Sequence, residues 1–118
     1  MKRTKKFSIP LTERDLIDVR LTTEKSEVVD FVLNYRAKFE DVWYQVYRVD
    51  TSHGYLHEQR LWITPEPIPL PRFADFSLKY VFDFYLRQIK NSYPRYRGYY
   101  RERMGISDEL SDDGFEVE

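Results

Sequence analysis

Both histidines of the chain fall within the stretch Arg48-Val49-Asp50-Thr51-Ser52-His53-Gly54-Tyr55-Leu56-His57-Glu58-Gln59-Arg60. Imidazole titrates nearer neutrality than any other side chain, so it suits proton transfer and metal ligation. Arg48 and Arg60 offer planar forks of donors that match a phosphate. Asp50 can orient an imidazole and favour its charged form. Two imidazoles, a carboxylate and a cation suffice for metal-independent RNA cleavage, with the 2′-hydroxyl as nucleophile and the histidines as general base and general acid. The expected catalytic residues are His53, His57, Asp50 and Arg48, with Arg60 as a phosphate contact. A metal site built from His53, His57 and Asp50 or Glu58 is a third, weaker alternative. No helix fixes the two histidines, and the flanking arginines oppose a cation. No metal or cofactor is expected. The competing structural account gives Asp50 to turn amides, His53 and Gly54 to an ordinary loop, and His57 to strand packing.

These roles require the side chains to share a face. Val42 to Asp50 is rich in β-branched and aromatic residues and predicts a strand. A weaker strand follows from Tyr55 to about Ile63. Thr51 to Gly54 makes the turn, with Gly54 free to take positive φ. For a four-residue turn, Arg48 lies opposite His57 and Asp50 opposite Tyr55. Residues two apart on a strand share a face, so Arg48, Asp50 and His57 cluster at the hairpin end with His53 above them. A one-residue change in loop length would scatter the cluster.

The positioning elements follow from patterning. Ile17, Val19 and Leu21 alternate with polar residues and predict a first strand, and Thr23 to Ser26 a turn. Val29, Phe31, Leu33, Tyr35 and Ala37 predict a second, turned back by Glu40-Asp41. A helical account of Ser26 to Lys38 competes, since Val28, Phe31, Val32 and Tyr35 also fit helical spacing. From Pro65 to Pro71 there are four prolines in seven residues, which opposes regular ladder pairing and predicts a stiff crossing. Leu78, Val81, Phe82, Tyr85 and Ile89 recur at helical spacing and predict a helix from about Asp75 to Lys90, capped by Asp75 or Ser77. Asn91-Ser92-Tyr93-Pro94 breaks it, and Pro94 opens a second, short helix ending at Gly105. The expected class is α+β: an antiparallel meander of three to four strands packed by one long C-terminal helix, with a short second helix.

Tyr93 to Arg103 interleaves tyrosines with arginines. Arg87, Lys90, Arg95, Arg97, Arg101 and Arg103 face a single acid, Glu102. Such arginines can pair with phosphates while tyrosines stack on unpaired bases. Arg95, Arg97, Arg101 and Arg103 are therefore candidate nucleic-acid contacts. On the other account, Tyr96, Tyr99, Tyr100 and Met104 form a buried stripe and the arginines face water.

Composition sets bounds. The chain has 118 residues, with 10 Tyr, 8 Phe and 2 Trp, so aromatic rings supply much of a modest core. It has no cysteine, which excludes disulfides and thiolate chemistry. Residues 1–107 are expected to form one domain, with a flexible basic lead over residues 1–10. From Asp108 to Glu118 there are six acidic residues and no basic one, leaving 19 basic against 14 acidic groups elsewhere. That acidic segment is expected to be a disordered tail. No signal-peptide core or membrane-spanning run is present, so a cytoplasmic protein is expected.

The run from Val28 to Leu61 resembles a family of small, uncharacterised prokaryotic proteins bearing Arg-x-Asp-x-x-His-Gly-x-x-His. Here the pattern is Arg48, Asp50, His53, Gly54 and His57. The motif is more distantly similar to the TumE-like toxins of toxin–antitoxin pairs, which commonly carry a further histidine or acidic residue after the second His. This chain continues with Glu58-Gln59-Arg60. The resemblance implies a small αβ protein and no particular activity; under a toxin role the partners would be RNA and an antitoxin. Two function classes are thus expected: an RNA-acting, metal-independent endoribonuclease, or a non-enzymatic module binding nucleic acid or protein.

Overall fold

The computed structural model describes residues 1–106. It has six strands in one sheet and a single long helix. The strands are β1 (Lys2–Thr12), β2 (Asp15–Glu24), β3 (Glu27–Phe39), β4 (Val42–Asp50), β5 (His57–Arg60) and β6 (Ile68–Pro69), each antiparallel to the next in chain order. The helix, α1, is Leu78–Met104. The α+β class and the meander hold. The expected count of three to four strands is too low, and there is no second α-helix among the described residues.

The two extra strands lie at the sheet edges, where patterning is weakest. β1 takes up the basic lead. Lys2-Arg3-Thr4-Lys5-Lys6 carries no apolar alternation, yet its backbone pairs along β2. The Thr4 and Thr22 hydroxyls meet at 3.0 Å, and Phe7 and Ile9 sit opposite Val19 and Ile17. Lysines on an edge strand also deter pairing with other chains. β6 lies within the proline-rich crossing. It is only two residues long, and an edge position needs no donor from Pro69 on its outer side.

β3 matches its apolar alternation, and β4, rich in β-branched and aromatic residues, pairs along it with a bulge at Val46. Strand β3 is a strand, not a helix, because Phe31, Leu33, Tyr35, Ala37 and Phe39 are all buried on one side. Two-residue turns join β2 to β3 and β3 to β4. Lys25-Ser26 and Glu40-Asp41 have positive φ at both positions, as a primed hairpin turn requires.

The helix runs along β3 from end to end. Phe82 meets Phe31 edge-on at 5.5 Å, Tyr93 meets Tyr35 at 6.0 Å, and Tyr100 stacks on Phe39 at 6.3 Å. Ser77 caps its start by accepting the Tyr80 amide, and Gly105, left-handed at φ 66, closes its end. Pro94 sits inside the helix and does not break it. Val81, Tyr85, Ile89, Ser92, Tyr96 and Tyr100 are buried at intervals of three or four that run straight through it. An interior proline costs about 3 kcal/mol. Burying two tyrosine side chains beyond it offsets that, at about 1.5–3 kcal/mol each.

At the Phe39 end a buried network ties helix to sheet. Arg97 Nη1 pairs with Asp15 Oδ1 at 3.0 Å, and its Nη2 donates to the Lys38 carbonyl. The Tyr35 hydroxyl donates to the same Asp15 oxygen at 2.5 Å. Burial, reinforced by the Asp15 charge, holds the Tyr35 phenol far above its ordinary pKa. Among the described residues, no helix is long and apolar enough to cross a membrane.

Candidate functional site

The helix covers one face of the sheet. The face away from it carries the histidine motif. The β4–β5 connection spans residues 51–56 rather than four residues, because Tyr55 and Leu56 stay outside the ladder. His57 therefore pairs with Asp50, and Arg48 with Gln59. The expected pairing of Arg48 with His57 is corrected by two residues. A shift of two preserves the face, so Arg48, Asp50 and His57 still meet.

Asp50 is the hub. It is 1% exposed, accepts from the Arg48 Nε and from the Ser52 amide at 2.8 Å, and lies 3.1 Å from His57 Nε2. Burial alone would raise its pKa. The Arg48 hydrogen bond, the Ser52 amide and the positive charges of Arg48 and His57 outweigh burial and hold Asp50 below the usual carboxylate value.

His57 is 3% exposed. Its Nδ1 lies 3.1 Å from the Tyr55 carbonyl. A carbonyl only accepts, so Nδ1 carries a proton. Nε2 faces the Asp50 carboxylate, another acceptor. Both ring nitrogens therefore face acceptor oxygens. Neither nitrogen is left to reach a substrate.

His53 is the opposite case. It is exposed, at φ 66, in the short 3₁₀ turn Ser52–Gly54, and Gly54 follows at φ 84. Its ring lies roughly parallel to His57, with centroids 6.5 Å apart. The Tyr55 ring packs on His57 at 4.8 Å and is itself 40% exposed. Thr51 ties this end to β3. Its amide donates to the Phe31 carbonyl, and its hydroxyl receives the Phe31 amide, both at 3.1 Å.

The remaining predicted contacts lie elsewhere. Arg60 pairs across the ladder with Tyr47 and so points to the helix face, where its Nη2 holds Glu58 at 2.9 Å. Glu58 is buried and also accepts from the Tyr47 hydroxyl at 2.6 Å. Burial, then the Glu58 charge, holds the Tyr47 phenol far above its ordinary value. Glu58 and Asp50 thus sit on opposite faces. Arg97 is 8% exposed and committed to Asp15. Arg95, Arg101 and Arg103 are exposed on the last turns of α1. Phe82 to Tyr100 spans about 27 Å of helix at 1.5 Å per residue, so these arginines lie far from the hairpin end. The acidic segment beginning at Asp108 lies outside the described residues.

Register also adds residues that patterning misses. Lys6, Arg20, Val32, Asp50 and His57 lie directly opposite one another across five strands. Lys6 and Arg20 thus extend the cationic row on the open face. Only strand pairing could reveal this. Tyr55 is within reach of sequence reasoning, since it stands two residues before His57 inside the motif.

Among the described residues, no three His, Asp or Glu side chains are grouped to hold a metal ion. A family model described as a domain of unknown function (DUF7718) matches residues 1–105. The chain belongs to the DUF7718 family. The match takes in all six strands, the hairpin cluster and the helix to its last turn. No curated protein and no solved structure matches the chain.

Proposed function

We propose that the chain is an RNA-binding module whose contact surface is the open sheet face at the hairpin end. One observation carries this: Asp50 is covered by Arg48, the Ser52 amide and His57, while His53 next to it, and Lys6 and Arg20 in register with it, are exposed. Arg48, 29% exposed on its side chain, and His53 would hold phosphate oxygens. Lys6 and Arg20 extend that field across the sheet. Electrostatic contact of this kind is sequence-tolerant and salt-sensitive. The ring of His57, with both nitrogens committed, would keep the hairpin in shape rather than shuttle protons.

Cleavage is the second reading, favoured by His53. Its exposed imidazole, stacked over His57, could serve as a single proton carrier at a phosphodiester, without metal. The motif's likeness to TumE-like toxins supports that version, which would bring an antitoxin partner. Arg95, Arg101 and Arg103 would then touch only an RNA long enough to reach the far end of the helix.

The test is incubation of the protein and its His53→Ala variant with labelled single-stranded RNA, with and without chelator. The binding reading expects both proteins to retain uncut RNA, with affinity falling steeply with salt. Cleavage by the parent alone, indifferent to chelator, would move the conclusion to a ribonuclease. No retention even at low salt would reject both.

A further inference from the structure

An apolar cleft of about 420 Å³ opens beside the hairpin cluster. Tyr55 and Leu56 of the hairpin connection, Pro69 and Leu70, and the rings of Phe73 and Phe76 line it. The cleft and the cluster share structure. Tyr55 lines the one and packs on His57 of the other, and Pro69 is the ladder partner of His57. Two of the lining rings, Tyr55 and Phe76, are substantially exposed, and Phe76 stacks on exposed Tyr80 at 5.0 Å. Exposed rings cost solvation unless something flat and apolar covers them.

The charges around the cleft narrow what that is. Arg72, between the lining residues Pro71 and Phe73, lies over the Phe73 ring at 5.0 Å; exposed His53 stands two residues before Tyr55, and Arg48 is linked to Tyr55 through Asp50 and His57. Asp75 is the one carboxylate in the wall segment 70–76. An occupant with a flat apolar body and an anionic backbone fits this arrangement. A cleft at the small end of ligand-site volumes has room for one ring and its sugar.

We infer that this cleft receives an unpaired nucleobase of single-stranded RNA, stacked between Tyr55 and Phe76, while the adjoining phosphate meets Arg48 and His53. The inference rests on the RNA-binding reading and adds its substrate class. A duplex keeps its bases stacked and could not enter, so the protein would prefer single strands.

The experiment compares binding of a labelled oligouridylate with that of an abasic oligomer of equal length. The two carry the same phosphates, and only one carries bases. The parent should favour the oligouridylate by about tenfold, the scale of one base stacked on an aromatic side chain. Phe76→Ala removes a wall, and Ala74→Trp fills the cleft. Both positions are exposed, so neither change threatens the fold. Loss of the preference in either variant, with abasic binding unchanged, supports the inference. A parent ratio near one, or a preference that survives in both variants, overturns it while leaving the RNA reading intact. Failure to bind either oligomer overturns both.

Discussion

Two buried aspartates anchor opposite ends of this sheet, and they are used differently. Asp15, at the Phe39 end, holds Arg97 from the helix and the Tyr35 hydroxyl from β3. Its partners lie far apart in sequence, so the network can form only when helix and sheet dock. Asp50, at the hairpin end, holds Arg48, Ser52 and His57, all within a few residues. Its partners gather as soon as the hairpin closes. Arg97 is sealed by the helix, whereas Arg48 keeps part of its side chain in solvent. A buried carboxylate with a cation is therefore not a functional signature on its own. The accessible partner and the neighbouring free imidazole distinguish the hairpin end.

Breaking the Asp15 network should have the largest effect. Arg97→Ala leaves a buried carboxylate without its cation, and urea unfolding should show a drop in stability of about 3–5 kcal/mol. A drop no larger than that of an exposed arginine such as Arg95→Ala would mean that Arg97 does not join helix to sheet.

Asp50→Asn should cost less, about 2 kcal/mol, because the hydrogen bonds it weakens are local and some donors can turn to water. The pH dependence carries a sign. Asp50 is depressed in the folded protein, so its contribution is fully present above its unfolded pKa, about 3.9. It disappears as pH falls through the lower folded value. Urea midpoints should drop more steeply in acid for the parent than for Asp50→Asn. Parallel curves would contradict the assigned hub.

Tyr47→Phe removes a buried donor from Glu58 and should cost about 1 kcal/mol at neutral pH. The Tyr47 phenol is raised, so its contribution is present below its unfolded pKa, about 10, and declines as pH rises above it. The variant should therefore lose less stability than the parent in alkali. Opposite in sign is Pro94→Ala, expected to stabilise the chain by up to about 3 kcal/mol because the helix is continuous there. Destabilisation would indicate that Pro94 shapes the helix in a way the buried stripe does not.

Strand β3 is legible in the sequence because its apolar residues alternate from Phe31 to Phe39, and β4 because β-branched and aromatic residues fill it, although its pairing carries a bulge at Val46. β1 is not, since lysines fill the positions where alternation would show, and its strand exists through pairing with β2. β6 is too short for any pattern. Pro94 looks like a boundary because local propensity ignores the buried stripe that continues to Tyr100. At the site, the motif residues are legible, and their shared face survives a two-residue error in loop length. Arg60 and Arg97 depart from expectation for different reasons. Ladder parity sends Arg60 to the helix face, and helix phase turns Arg97 toward Asp15. Neither is written in local composition.

On the proposed reading, RNA meets the hairpin end rather than the arginines closing the helix. The most direct measurement is the salt dependence of RNA affinity for the parent, for a His53→Gln, Arg48→Gln double variant, and for an Arg101→Gln, Arg103→Gln double variant. The account predicts that the hairpin changes lower affinity and reduce the salt slope by about one for each phosphate no longer neutralised, while the helix changes leave affinity and slope unaltered. The reverse pattern would contradict it and place the contact surface at the far end of the molecule.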